Sequence, residues 1–388
     1  EPAILAQEQR AAPRYIERIV RKDSGLEVIF IGDSSPVLFS WFWLRDHGVD
    51  EASLDPKTLQ RRVDTFTIPT DIAPGAVHID EASEEILIDW ENAPQTRITG
   101  HALASAVGRA LDTLDLASPL DPVLWGKDAA LTESPTVDYD AVMNTDAGRR
   151  AWVENIVRYG FSVVAGVPST EDATRALAER ISRVHETIFG RMWMLSAELT
   201  DHGDSAYSTQ YLEPHTDSSY YHNAPGLQMF NCLEFAGKGG ESTQVDGFAI
   251  AARLRDEDPE AWELLTQVDI PAHYIEPGVH LRAERPTLRL NSRGELVQVT
   301  WNNYDRAPFV LPPGEEKAFY RAYGVFHRHV MDQDNWHKIP LRPGKVLIFD
   351  NWRNLHGRMG YVGKRVFSGC YLSRAQFEST LRVMLQSD

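Results

Sequence analysis

Three residues of the 388-residue chain could hold one metal ion: His215 and Asp217 in "YLEPHTDSSY", and His356 far downstream in "FDNWRNLHGR". Residues two apart on an extended strand project to the same side. A His-x-Asp pair can therefore grip an ion while another strand brings back the second imidazole. Two histidines and one carboxylate on one face of an octahedral ion leave the opposite face open. That arrangement suits Fe(II) and O2 chemistry. His-x-Asp alone is common by chance, but here Arg365 follows His356 by nine residues, at the start of the strand-like run "RVFSGCYL". Its planar guanidinium suits bidentate capture of a carboxylate, which the distal end of 2-oxoglutarate requires. The order His-x-Asp, long gap, His, Arg points to an Fe(II)/2-oxoglutarate oxygenase.

Strands must bring these residues together. Residues 14–115 read as a smaller N-terminal β-rich domain: "GLEVIFI" and "EEILIDW" are strand-like runs bounded by turn residues. "TGHALASAVGRALDTL" has helical periodicity with Thr99 as its cap. The Pro-rich, aperiodic stretch 116–137 reads as a linker. Residues 138–388 read as the oxygenase domain. "DAGRRAWVENIVRYG" and "TEDATRALAERISRVHETIFG" have helical spacing, with the strand "FSVVAGV" between them. Farther on come the short strands "LQMFNCLEF", "ELVQVTWNN", "GKVLIFDNW" and "RVFSGCYLS", with helical insertions near 256–267 and 315–332. The expected fold is mainly β with helices: a double-stranded β-helix (jelly-roll) core plus the N-terminal domain.

Composition narrows the function classes. Hydrophobic residues make up 43% and charged residues 24%, a soluble globular balance. A net charge of −17 and a pI near 5.2 argue against nucleic acid and anionic membranes as partners. The two cysteines, Cys232 and Cys370, have no metal or redox spacing. They fit a reducing cytoplasm and read as small buried hydrophobes. No apolar run approaches the roughly 18 residues of a membrane span. The first twenty residues lack a basic-then-apolar leader pattern.

The motifs "WLRDH" (43–47), "HTDSSYYHNAPGLQMFNC" (215–232), "GGESTQVDGF" (239–248), "WNNYDRA" (301–307), "FDNWRNLHGR" (349–358) and "GCYLSR" (369–374) span nearly the whole chain. Through them it resembles the γ-butyrobetaine hydroxylase and trimethyllysine dioxygenase family of Fe(II)/2-oxoglutarate oxygenases. The resemblance implies that His215, Asp217 and His356 bind Fe(II) and that Arg365 holds the distal carboxylate of 2-oxoglutarate. Ser242 sits where relatives place an assisting hydroxyl; its plain alternative is an ordinary strand serine. It also implies O2 as co-substrate, hydroxylation of an unactivated C–H bond, and a homodimer as the default assembly. One departure stands out. The family often carries an N-terminal zinc held by three cysteines and a histidine. Here "GVDEASLDPKTL" follows "WLRDH" without a cysteine and "IDWENAPQTR" lacks the histidine, so no structural zinc is expected.

Family substrates carry a trimethylammonium group, which donates no hydrogen bond and is recognised by aromatic faces. Phe189, Trp193, Tyr207 and Tyr371 match the family's cage, with Phe189 in place of a tyrosine. Phe189 and Trp193 would share one side of a helix if "IFGRMW" is helical. Each alone reads equally as a core aromatic. Asn302, Asn303 and Arg306 match or adjoin the family's substrate-binding asparagines and are candidates for the anionic end, with Arg191 and Arg282 as weaker ones. The first reading is hydroxylation of γ-butyrobetaine or 2-trimethylaminoethylphosphonate at the carbon β to the quaternary nitrogen. The second is trimethyllysine hydroxylation, favoured by "NNYDRA" and "GCYLSR" but without an identified partner for the α-amino group. The third is a non-catalytic quaternary-ammonium binding protein, which would need no His-Asp-His-Arg set. A halogenase conflicts with Asp217, and a zinc hydrolase would leave Arg365 unused.

Overall fold

The computed structural model describes residues 14–109, 120–196 and 208–386. By contacts the chain divides into two compact units, Glu1–Leu116 and Ala117–Asp388, and it is mainly β with helices. Among the described residues no helix is long and apolar enough to cross a membrane.

In the first unit, Ile16–Lys22, Gly25–Phe30 and Val37–Ser40 form one antiparallel sheet, and Pro74–Asp80, Glu85–Trp90 and Ala93–Thr99 form another. Alternation buries Leu26, Val28 and Phe30 from one sheet with Ile86, Ile88 and Ile98 from the other. Thr99 caps the helix Gly100–Ala106 by accepting from the Ala102 amide at 3.2 Å.

The second unit holds the two sheets that build the site. The larger runs in the order Thr136–Asp138, Phe161–Ala165, Lys345–Asp350, Leu227–Gly239, Tyr361–Leu372, Trp193–Leu195. The smaller runs Leu212–His215, Asn354–Arg358, Ser242–Asp246, Trp336–Ile339. The near-continuous apolar runs expected of buried strands are those of Phe161–Ala165 and Lys345–Asp350, which pair with each other. Cys232 and Cys370 are both buried and unbridged.

Three local readings change. The insertion near 256–267 is two helices, Gly247–Glu257 and Pro259–Gln267, broken at Asp258. Pro259 has no N–H to continue the first helix and is well suited to the first turn of the second. The helical pattern over "TEDATRALAERISRVHETIFG" covers only Glu171–Glu179. Val184 then bridges Leu372, and Trp193–Leu195 pairs with the strand Tyr361–Leu372. Phe189 and Trp193 are thus not one helical turn apart, because the sheet edge demands extended backbone.

The described part of the linker, 120–137, is packed structure of the second unit. Trp125 is 2% exposed and lies among Phe161, Leu347 and Phe367. Arg353 locks it there. Its Nε and Nη2 donate to Asp246 Oδ1 (3.0 Å) and Oδ2 (2.7 Å), and Nη2 also reaches the Val123 carbonyl at 2.6 Å. Prolines suppress periodicity, but partners remote in sequence decide burial.

Candidate active site and metal centre

His215 closes the strand Leu212–His215 and stands opposite His356 in antiparallel register. Asp217 does not continue that strand. It lies in the turn beyond, followed by Ser218 at φ 60°. Other segments hold it instead. Asn351 accepts from the Asp217 amide (2.8 Å) and donates to its carbonyl (3.1 Å). Thr216 exchanges backbone and side-chain bonds with Trp301. The result brings the ligand atoms of His215, Asp217 and His356 within 4.8 Å of one another. His215 Nε2 is 3.2 Å and His356 Nε2 3.7 Å from Asp217 Oδ1.

Protonation suits a cation at this point. His215 Nδ1 lies 2.7 Å from the Glu213 carbonyl, which can only accept, so Nδ1 carries a proton, and Nε2 becomes free to bind a cation once it gives up the proton it shares with Asp217 Oδ1. Burial pulls the His215 pKa down, but the bond to Asp217 and its charge outweigh this and hold it above the ordinary value. Burial would raise Asp217, yet the adjacent His356 and His215 keep it well below the usual carboxylate range. Burial pushes His356 down to about 3, leaving the neutral imidazole a metal needs. Two nitrogens and one carboxylate oxygen converging on one point fit Fe(II).

The three ligands line one pocket together with Phe189, Trp193, Ser242, Arg365 and Tyr371, and both sheets contribute to it. On the strand Tyr361–Leu372, Arg365, Phe367, Gly369 and Tyr371 share one face by alternation. Arg365 is 7% exposed and makes no ion pair among the described residues, and its Nε lacks a hydrogen-bond partner. Burial, helped by nearby Arg358, brings its pKa down to about 10. A buried, uncompensated guanidinium calls for an anion, and the distal carboxylate of 2-oxoglutarate answers it. Trp193 and Tyr371 rings meet at 5.6 Å. Tyr207 lies outside the described residues.

Asn302, Asn303 and Arg306 do not line the pocket. Asn302 spends its amide on the loop: Nδ2 donates to the Thr216 carbonyl (3.1 Å) and Asp305 (2.9 Å), and Oδ1 accepts from the Tyr304 and Asp305 amides. These bonds brace the metal-bearing turn. Asn303 accepts from Arg306 Nε, and Arg306 also bonds Tyr320 while lying over the Tyr320 and Tyr323 rings.

Sequence reasoning missed Gln228, Phe230 and Arg358, which line the pocket, and Asn351, which clamps Asp217. The signals were present. Arg358 follows His356 by two on one strand. Gln228 is a polar interruption in the apolar run "LQMFNC", and Phe230 shares its face.

Three ligand atoms at one point, and in the same pocket a buried guanidinium with no ion pair among the described residues, define a non-haem iron oxygenase that uses 2-oxoglutarate. The pattern described as Taurine catabolism dioxygenase TauD, TfdA family matches residues 117–371. The mitochondrial trimethyllysine dioxygenase of Mus musculus is 35% identical, covering 89% of this chain and 82% of its own. That of Homo sapiens is 33% identical over the same shares. Trimethyllysine dioxygenase of Meyerozyma guilliermondii is 33% identical over 89% of this chain and 90% of its own. The chain belongs to the TauD, TfdA family and is an iron- and 2-oxoglutarate-dependent dioxygenase.

Proposed function

We propose that this dioxygenase hydroxylates a small substrate bearing a trimethylammonium group, with trimethyllysine first among the candidates. Support for that order comes from relatives named trimethyllysine dioxygenase that match about nine-tenths of the chain; it reverses the preference drawn from the sequence. The observation that carries the reading is that Phe189, Trp193 and Tyr371 line the same pocket as His215, Asp217 and His356. Ring faces attract a quaternary ammonium by about 0.5–2 kcal/mol each.

In this reading the two sheets are a double-stranded β-helix core. His215, Asp217 and His356 hold Fe(II), and the bound metal with O2 and 2-oxoglutarate supplies the oxidation. Arg365, with Ser242 and Arg358 beside it, orients the 2-oxoglutarate distal carboxylate. Trp193 and Tyr371 fix the cation, so that one C–H bond is presented to the open face. Phe189, Phe230 and Phe367 keep water out.

A small trimethylammonium anion is the second reading. One observation favours it: the Tyr371 hydroxyl bonds Asp217 Oδ2 at 2.7 Å, which keeps a ring-bound cation close to the metal.

The test is succinate formation by Fe(II)-loaded protein with 2-oxoglutarate and O2, against trimethyllysine, γ-butyrobetaine and 2-trimethylaminoethylphosphonate, with products followed by mass spectrometry. Substrate-dependent succinate with trimethyllysine is expected, and Asp217→Ala should abolish it. Turnover only with the smaller anions selects the second reading. Turnover with none of the three overturns the trimethylammonium assignment.

A further inference from the structure

Asp217 has two carboxylate oxygens with different surroundings. Oδ1 faces the two imidazoles. Oδ2 receives two hydrogen bonds, from Gln228 Nε2 and from the Tyr371 hydroxyl, each 2.7 Å. The donors come from one place in the fold: Gln228 and Tyr371 are register partners on adjacent strands of the six-stranded sheet. Cross-strand partners project to the same face with Cβ atoms about 5 Å apart, so both reach the carboxylate from one side.

The orientation of the Gln228 amide follows from this contact. An ionised carboxylate only accepts, so the end facing Asp217 must be the NH2 group. Oε1 must then point the other way. It is buried, accepts no hydrogen bond from the described residues, and belongs to a residue that lines the pocket. A buried acceptor without a donor costs about 1–3 kcal/mol.

We propose that Gln228 is a positioning residue for the metal ligand Asp217. With Tyr371 it forms a two-donor clamp on Asp217 Oδ2, which reserves Oδ1 for the metal and keeps the carboxylate a single-point ligand. The clamp stands on geometry alone and does not depend on the identity of the substrate.

The experiment uses Gln228→Met, which keeps the length and loses both polar ends, and Tyr371→Phe, which keeps the ring and loses one donor. Co(II) is titrated into the metal-free full chain anaerobically, and affinity and visible spectrum are read without any turnover. Gln228→Met should weaken Co(II) by roughly 10–100-fold, the usual cost of losing a ligand's outer partner, and alter its spectrum. Tyr371→Phe should change the spectrum in the same direction, so the clamp stays testable if the first variant fails to fold. Unchanged affinity and spectrum overturn the clamp, whatever the substrate is. Wild-type turnover with no trimethylammonium compound removes the substrate reading and leaves the Co(II) result standing.

Discussion

Gly369 lies flat against the Trp193 indole: a Cβ built at 369 would overlap the ring carbons of Trp193. The two are register partners on adjacent strands of the six-stranded sheet. The absent side chain is what lets the indole sit beside Tyr371 in the pocket. Gly369→Val should therefore displace Trp193. The expected outcome is a roughly tenfold rise in KM for a trimethylammonium substrate, equivalent to losing one cation–π contact. The KM for 2-oxoglutarate should hold, since Arg365 lies two alternations away on the strand. Steady-state kinetics with each varied separately checks both.

Arg365 is a buried cation without an ion-pair partner among the described residues, so its removal should act on the co-substrate. Truncating one member of a buried charge pair costs about 2–5 kcal/mol, so Arg365→Ala should weaken 2-oxoglutarate by roughly 30-fold or more. Arg365→Lys should recover only part of this, because an ammonium cannot reproduce the planar two-point contact. Calorimetric titration of 2-oxoglutarate into the anaerobic metal-loaded variants gives the comparison.

The Arg353–Asp246 pair governs stability rather than chemistry. Their side chains are 5% and 0% exposed, and they tie the Val123–Trp125 segment to the catalytic unit. Asp246→Ala leaves a guanidinium buried and uncompensated, and should cost about 3–5 kcal/mol. The urea midpoint of the variant should fall accordingly. Limited proteolysis should then cut near residue 125 before cutting the sheets.

Acid should destabilise the protein through buried imidazoles outside the metal centre. Burial lowers the pKa of His185, His329 and His337 from the ordinary 6.5. The unfolded chain takes up these protons near pH 6.5, whereas the folded chain resists until lower pH. Stability is therefore full above about pH 7 and falls as pH drops through 6.5 toward the folded values. His337 Nε2 lies 2.9 Å from Ser134 Oγ, a bond a glutamine could replace. The urea midpoint of His337→Gln should decline less between pH 7.5 and 5.5 than that of the wild type.

What was legible in the sequence is chemistry tied to short spacings and long strands. Asp217 was named correctly as a partner of His215, but on a wrong argument: alternation along a strand does not place it, since the strand stops at His215 and Asn351 positions the turn. Asn302 shows the converse. The motif marked a residue that matters, but a motif cannot say whether an amide faces a ligand or the next loop. Here four hydrogen bonds turn it inward. Gln228 was passed over because a lone polar residue in an apolar strand shows no purpose until its cross-strand partner is known.

The sequence by itself determined the donor types, their order and the two-residue alternation that puts Arg365 and Tyr371 on one strand face. These depend on local covalent geometry and on the chemistry of each side chain. Only the tertiary structure decided which strands are neighbours. Register then set His215 against His356 and Gln228 against Tyr371, and put the Trp193 indole over Gly369. Hydrogen-bond pairing between segments more than a hundred residues apart is selected by the packing of the whole core, so no window along the chain contains it.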